Sequence, residues 1–318
     1  MGPALRVRLL GANFHFTSDR PELLRLVART YDGLPSHRLT QRAPRISVRL
    51  IRTAAGDHSN WRTPPRLEAT AGEGLICGAM DADNYVALCP EARAGLVGVS
   101  PRLLLWPYFA RYELLEFAVY TLASRVQNLA PLHAAAVAHR GRAALLMGDS
   151  GAGKTTVAVQ CLSAGMDFIS EDSTFVSAGS GLATGVANYI HVRPEMLSFL
   201  PARQARLWAR RATTIWRRSG VEKLELDLRR IGCRLAPAAC RVAAIVFLSR
   251  RAAGKGPLLR PLRAREALAR LAQLQPYAAS QPHWQRFMRL ARGLRLCELR
   301  RAAHPSAAVA PLQGILIP

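Results

Sequence analysis

A glycine-rich loop between two largely apolar segments constrains the fold of this chain more than any other feature. In "LLMGDSGAGKTTVAV", residues 145–159, Gly148, Gly153, Lys154 and Thr155 satisfy the pattern G-x-x-x-x-G-K-[ST]. That pattern requires a strand before the loop and a helix after it. It therefore predicts an α/β fold in which this loop connects a buried strand to a helix.

The same loop predicts a phosphate-binding site. Glycines let the backbone curl so that its N–H groups face a bound phosphate, and the helix N-terminus adds the positive end of its dipole. Lys154 is expected to reach the β- and γ-phosphates of ATP or another nucleoside triphosphate, and Thr155 to offer its hydroxyl to Mg²⁺. The predicted nucleotide-binding residues are Gly148, Asp149, Ser150, Gly151, Ala152, Gly153, Lys154, Thr155 and Thr156.

Two adjacent acids, Glu171 and Asp172, follow the short apolar strand "MDFIS" after the predicted loop helix. A carboxylate at a strand end there can approach the metal or the attacking group. One division of roles gives Asp172 to Mg²⁺, beside Thr155, and gives Glu171 to the acceptor hydroxyl as general base or orienting group. The residue types alone leave open which acid is the base.

Residues 132–176 resemble the catalytic domain of the HPr kinase/phosphorylase family, which includes the kinases that modify lasso peptides. The shared pattern is a histidine at the start of a strand, the glycine-rich loop, a helix ending in glycine and a strand closing on two acids. The matching residues are His133, Gly148, Ser150, Gly151, Gly153, Lys154, Thr155, Gly165, Glu171 and Asp172. The resemblance is thinner out to about residue 251 and does not cover the first 125 residues.

This resemblance implies a P-loop domain of the HPr kinase and phosphoenolpyruvate carboxykinase type, and phosphoryl transfer from a nucleotide to a serine hydroxyl. It also implies that His133 lies near the transferred group, as a catalytic residue with Lys154 and the two acids. The family usually has two aspartates where this chain has Glu171 and Asp172, and its later glycine-rich signature is missing. HPr is therefore not assigned as the acceptor.

Other polar residues carry weaker signals. Lys223 and Arg250 are candidates for further positive charge at the phosphates, whereas His139 and His191 are expected to be structural. Residues 202–218, "ARQARLWARRATTIWRR", contain six arginines, two tryptophans and no acid. This basic segment either binds an acidic peptide or the phosphates, or is a solvated helix whose tryptophans face the core. Abundant arginine throughout the chain favours the solvated helix.

A length of 318 residues predicts two domains. Residues 1–125 are expected to form a smaller α+β domain, with strands in "LRVRLLGANFHF" and "RISVRLIRT" and a helix in "RPELLRLVARTY" after Ser18 as N-cap. Residues 126–318 are expected to form the P-loop domain, with an arginine-rich helical part at the C-terminal end. The sequence gives no indication of the N-terminal domain's role.

Charge, cysteine spacing and hydropathy bear on whether the protein binds nucleic acid, contains disulfides or contacts a membrane. The net charge of +23 suits a nucleic-acid binder, but the basic residues are spread along the whole chain and no nucleic-acid-binding module is present. The six cysteines are far apart, which predicts free thiols. No uncharged apolar stretch of membrane length and no signal peptide are recognisable. We therefore expect a cytoplasmic protein without membrane contact, and a homo-oligomer remains open.

Together with the loop and the acids, the resemblance implies an ATP- and Mg²⁺-dependent kinase that phosphorylates a serine of a peptide or small protein. A ribosomally made lasso-type peptide and an acidic peptide are candidate acceptors. Two alternatives stay open: a nucleotide-binding regulator without transfer activity, which the replacement of aspartate by Glu171 allows, and a small-molecule kinase.

Overall fold

The chain forms two compact units of mixed α/β structure, Met1–Asn128 and Leu129–Pro318. The computed structural model describes residues 3–54 and 61–317. The division falls slightly later than the predicted boundary between residues 125 and 126. All six cysteines are free, as predicted. Within the described ranges, no helix combines the length and apolar character needed to cross a membrane.

The first unit is built on one seven-stranded sheet. Its elements are β1 (Ala4–Leu9), β2 (Ala12–Thr17), α1 (Pro21–Tyr31), β3 (Arg45–Arg52), β4 (Glu68–Gly72), β5 (Leu75–Ala79), β6 (Tyr85–Cys89), β7 (Ala94–Val99), α2 (Pro101–Leu104), α3 (Pro107–Phe109), a π-helix (Ala110–Leu115) and α4 (Glu116–Gln127). The strand order is β1-β2-β3-β7-β6-β5-β4. The β2–β3 and β3–β7 pairs are parallel, and the other neighbours are antiparallel.

Both predicted strand regions of this unit are confirmed. The segment "LRVRLLGANFHF" is a hairpin that turns at Leu10 and Gly11, whose φ angles are 50° and 83°. The helix of "RPELLRLVARTY" is confirmed, but Ser18 as its N-cap is wrong. The N-cap is Arg20, and the Ser18 hydroxyl accepts a hydrogen bond from the Arg20 N–H at 3.1 Å. Pro21 opens the helix because its fixed φ suits the first helical position.

The second unit contains a nine-stranded sheet and a separate three-stranded sheet. Its elements are β8 (Leu129–His133), β9 (Ala135–His139), β10 (Arg142–Met147), α5 (Lys154–Ser163), β11 (Asp167–Ser170), β12 (Ser173–Ser177), β13 (Leu182–Gly185), β14 (Tyr189–Val192), a 3₁₀ helix (Pro194–Phe199), α6 (Ala202–Arg211), β15 (Thr213–Trp216), β16 (Glu222–Asp227), a 3₁₀ helix (Leu228–Arg230), β17 (Cys240–Ala252), β18 (Leu259–Pro261), α7 (Ala264–Leu274), α8 (Pro276–Ala279), α9 (Trp284–Arg292), β19 (Arg295–Arg301), a 3₁₀ helix (Pro305–Ala308) and α10 (Val309–Leu316).

The large sheet of this unit is covered on both faces. Its main path runs β11-β9-β10-β17-β13-β12-β8, and β19 pairs with both β17 and β18. Along β10, Ala144 and Leu146 face a core shared with α5, α6 and α10. Leu145 and Met147 face the opposite core, shared with α7 and α9. A strand buried on both sides is nearly continuously apolar, which explains the uninterrupted run that precedes the glycine-rich loop.

Strand direction brings the predicted site together at one edge of this sheet. β10 and β17 are parallel, so the loop after Met147 and the C-terminal part of β17, which includes Arg250, lie at the same edge. The predicted strand "MDFISEDSTFVS" is two strands, β11 and β12, because the first pairs with β9 and the second with β8. Glu171 and Asp172 form the corner between them. We refer to these two residues as the acid corner.

The C-terminal region departs from its helical prediction in one element. α7, α8 and α9 are confirmed, but residues 295–301 form the strand β19, which pairs in parallel with β17. The basic segment is divided between α6 and β15. Trp208 is fully buried, whereas Trp216 is 59% exposed. The solvated-helix interpretation therefore holds for Trp208 and fails for Trp216.

Gly185 on β13 packs closely against the strand that precedes the acid corner. A Cβ atom there would lie 2.6 Å from both the Ile169 carbonyl oxygen and the Ser170 Cβ. Gly185→Ala is expected to lower the free energy of unfolding by about 1–3 kcal/mol, because backbone must shift to admit the methyl group. Thermal unfolding of Gly185→Ala and of Gly179→Ala checks this, since the space around Gly179 is open. Equal stabilities of the two variants would contradict the packing described.

Candidate nucleotide and phosphoryl-transfer site

The glycine-rich loop joins β10 to α5, as the sequence predicts. Gly151 and Gly153 have φ angles of 77° and 97°, in the left-handed region that glycine adopts without strain. The Ala152 N–H donates to the Asp149 carbonyl at 3.1 Å, which closes the loop into a tight turn. Asp149 and Ser150 are exposed at its tip, and Thr156 lies half-buried in the first turn of α5.

Lys154 folds back over this loop. Its Nζ donates to the Gly148 carbonyl at 2.8 Å and more weakly to the Asp149 carbonyl at 3.4 Å, and the residue is 8% exposed. Burial lowers the pKa of Lys154, although the nearby charges of Asp172, Asp149 and Glu171 oppose the shift. The ammonium group is thus held among loop carbonyls, where an anionic ligand in the loop would meet it.

Arg250 brings a second cation to the loop. It extends from the end of β17, and its Nη2 donates to the Ser150 carbonyl at 3.1 Å. The side chain is exposed, so this contact leaves most of the guanidinium group open to solvent. Its position agrees with its predicted place beside the loop.

The two acids of the corner have different partners. The Thr155 hydroxyl donates to Glu171 Oε1 at 3.1 Å. Asp172 Oδ1 lies 3.0 Å from His133 Nδ1. The Glu171 side chain is 10% exposed, whereas those of Asp172 and His133 are 41% and 51% exposed. The metal candidate Thr155 is therefore paired with Glu171, and not with Asp172 as the expected division of roles required.

His191 is the main site residue that the sequence analysis missed. Its backbone N–H donates to Glu171 Oε2 at 2.9 Å, and its Nδ1 lies 3.0 Å from the same oxygen. Its Nε2 lies 2.9 Å from Glu225 Oε2 on β16. The expected structural role of His191 is thus incomplete, because the ring bridges two buried carboxylates, one of them in the acid corner. His139, by contrast, ends β9 and pairs with Arg142, the first residue of β10.

Burial and the bridging contacts shift the pKa values of His191 and Glu171 in opposite directions. Burial alone lowers the pKa of His191, but hydrogen bonds and charge from Glu171 and Glu225 raise it above its ordinary value. Burial raises the pKa of Glu171, but His191 and the charge of Lys223 bring it below its ordinary value. Glu171 is therefore held as a carboxylate beside a ring that favours protonation.

Lys223 on β16 is the third cation near the acid corner. Its Nζ donates to the His191 carbonyl at 3.4 Å, and burial lowers its pKa even though Glu171 and Asp172 oppose the shift. The predicted cations Lys154, Lys223 and Arg250 thus all belong to the surroundings of the loop and the acid corner. Within the described ranges, no group of three or more His, Cys, Asp or Glu side chains is arranged to hold a metal by itself.

Comparisons with known proteins give little beyond this geometry. No protein-family model matches the sequence, and no curated protein matches it significantly. One solved structure that is similar is described as "Structure of the Hpr(Ser) kinase/phosphatase from Coxiella burnetii". It is 12% identical, with a TM-score of 0.27, over 58% of this chain and 93% of that chain. A TM-score this low does not establish a common fold, so the functional interpretation depends on the residues of the site.

Proposed function

We propose that this protein is a kinase that transfers a phosphoryl group from ATP, or another nucleoside triphosphate, to a serine hydroxyl of a peptide or small protein. The observation that carries the proposal is the acid corner beside the glycine-rich loop. Glu171 contacts the first-turn hydroxyl of α5 while Asp172 contacts His133. Phosphoryl transfer needs a phosphate cradle, a metal site and a group that orients the nucleophile, and this edge of the sheet supplies candidates for each.

The donor set fits a magnesium nucleotide. The glycines provide a cradle without side chains, and Lys154 and Arg250 supply positive charge for the phosphates. Mg²⁺ is usually held by one or two carboxylates together with substrate phosphates, so Thr155 and Glu171 suffice as protein ligands. When bound, Mg²⁺ neutralises charge on the phosphate oxygens.

The partners of the two acids favour a division of roles opposite to that inferred from the sequence. Glu171 is buried, ionised and hydrogen-bonded to Thr155, which suits the metal side of the site. Asp172 is accessible and paired with His133, so it can accept the proton of an incoming hydroxyl. We propose Asp172 as the base or orienting group and His133 as the residue that orients it. Lys154 acts on the phosphates.

Two other functions use the same nucleotide site. A regulator without transfer activity would bind nucleotide and leave Asp172 unused, and a small-molecule kinase would phosphorylate a free hydroxyl compound and ignore peptides. The Asp172–His133 pair favours transfer, because nucleotide binding alone has no use for an accessible base. Nucleotide turnover measured with and without candidate peptides separates the three, and turnover that no peptide stimulates would contradict the peptide-kinase proposal.

The basic segment supports an acidic peptide as acceptor. Arg203, Arg206, Arg210, Arg211 and Arg218 are exposed on or just after α6 and β15. No carboxylate interrupts residues 202–218, so this surface complements an acidic chain. An ATP-dependent reaction of this kind also suits the cytoplasm.

Removal of two of these arginines is expected to weaken binding of the acceptor peptide and to leave ATP binding unchanged. Arg210→Ala with Arg211→Ala should raise the KM for an acidic peptide by about 3–10-fold at low salt and weaken its salt dependence, because screened charge attraction is lost. The affinity for ATP should not change. Initial rates at two salt concentrations measure both effects, and Arg286→Ala with Arg289→Ala, two exposed arginines of α9, is the matched control. An unchanged peptide KM at low salt would leave the basic segment as a solvated surface.

A further inference from the structure

Gln275 makes a two-point contact with the backbone of His133. It lies between α7 and α8 and is 2% exposed. Its side-chain Nε2 donates to the His133 carbonyl at 2.9 Å, and its Oε1 accepts from the His133 N–H at 2.7 Å. A single buried amide thus satisfies both backbone groups of a residue 142 positions away in the chain.

Among the described strands, the contact falls on the outer side of the last one in the sheet. β8 is the last strand of the main path, and His133 pairs with Ser173 of β12 on its inner side. Because both backbone groups of His133 bond to Gln275, they face away from β12, as in a non-hydrogen-bonded antiparallel pair. Gln275 therefore takes the place of a neighbouring strand at the residue whose imidazole meets Asp172.

Only a primary amide of this length meets the requirement. Glutamine offers a donor and an acceptor side by side. Glutamate, when ionised, offers only acceptors, and methionine has no donor and only a weak acceptor. A buried amide that donates to and accepts from the same residue fixes that residue, because breaking either hydrogen bond leaves buried polar groups unpaired. The position of the His133 backbone is therefore set from α7 and α8 as well as from β12.

We propose that Gln275 is a positioning residue for phosphoryl transfer, and that it acts by holding His133 against Asp172. The inference rests on the function proposed above. Gln275 touches neither reacting group itself. Its two side-chain hydrogen bonds go to His133, so we expect its removal to change the orientation of the Asp172–His133 pair and to spare the loop, Lys154 and Glu171.

A double-mutant cycle tests this proposal. Gln275→Met, which keeps the side-chain volume, is expected to lower kcat about 10-fold and leave the KM for ATP unchanged. In a His133→Ala background the same substitution should cause no further loss, because residues that act through one another are not additive. Gln275→Glu should also lose kcat, since it repels the His133 carbonyl. An equal loss from Gln275→Met in both backgrounds would overturn the proposal.

The matched control is Gln160→Met. Gln160 is also buried, and it donates to a backbone carbonyl, that of Phe199, at 3.2 Å. A general loss of packing would lower kcat in this variant as well, whereas a role specific to His133 leaves it near the wild-type value. Thermal unfolding of all variants shows that each is folded at the assay temperature.

A second readout does not require transfer activity. The ring ¹H and ¹⁵N signals of His133, assigned by their loss in His133→Ala, should shift in Gln275→Met and stay in place in Gln160→Met. Shifted signals in a protein that phosphorylates nothing would preserve the positioning contact and overturn only the kinase proposal. Unchanged His133 signals in Gln275→Met would overturn the positioning role whatever the activity.

Discussion

Lys154→Ala is expected to abolish phosphoryl transfer, with turnover falling by at least about 100-fold. The substitution removes the ammonium group that meets the β- and γ-phosphates, and preorganised charge of this kind contributes several kcal/mol in phosphoryl transfer. Turnover of ATP and formation of phosphopeptide measure the loss. Lys255→Ala, at an exposed lysine of the same unit, is the control.

Folding should survive this change. Among the described residues, the hydrogen bonds of the Lys154 ammonium go to carbonyls of its own loop, at Gly148 and Asp149, so its removal breaks no hydrogen bond to a distant element. We expect the thermal midpoint to stay within a few degrees of the wild type. A folded Lys154→Ala protein with wild-type turnover would show that the loop is not the active site.

Substitution of the two acids of the acid corner is expected to reduce activity in different ways. Glu171→Gln should weaken binding of the magnesium nucleotide, and excess Mg²⁺ should restore part of the activity, because a neutral amide is a poorer metal ligand. Asp172→Asn should keep nucleotide affinity and lose about 100-fold or more in kcat, because an amide cannot accept the serine proton. Calorimetry with magnesium nucleotide and initial rates distinguish the two.

The reverse pattern would contradict this division of roles. If Asp172→Asn loses nucleotide affinity while Glu171→Gln loses only kcat, the roles are those first inferred from the sequence.

Glu171→Asp adds a finer test, since it keeps the charge and shortens the reach toward Thr155. We expect it to bind Mg²⁺ more weakly than the wild type and to retain transfer. Thermal unfolding of Glu171→Gln must be measured as a control for stability, because in this variant His191 loses one of its two carboxylate partners.

The sequence predicted the parts of the site that local chain geometry determines. The loop and the helix that follows it depend on a few neighbouring residues, and both are present. Residues of this kind carry their own conformational requirement, such as a left-handed φ at glycine. The position of the acid corner followed in the same way, from its distance along the chain after the loop helix.

The roles within the acid corner could not be predicted locally. A continuous strand would have sent Glu171 and Asp172 to opposite faces, but both residues lie in the corner between β11 and β12, which pair with different strands. The direction of each carboxylate is therefore set by β8, β9 and β12 together. His191 and Gln275 reach the site from distant elements, and nothing in their sequence neighbourhood marks them. Only tertiary pairing shows that one holds Glu171 and the other His133.

The first unit shows the same limit in a simpler case. β1, β2 and β3 followed from the alternation of polar and apolar residues in their segments, and α1 followed from its helical spacing. The order of the strands did not, because β7 inserts beside β3 before β4, β5 and β6 complete the sheet.

The most direct measurement is mass spectrometry of serine-containing peptides, acidic and neutral, incubated with the protein, ATP and Mg²⁺. The proposed function predicts the mass of one added phosphate on a peptide serine, a preference for acidic peptides, and no product with Lys154→Ala or with Mg²⁺ chelated. Nucleotide that binds to the wild-type protein while no peptide in the set gains a phosphate would contradict the peptide-kinase function.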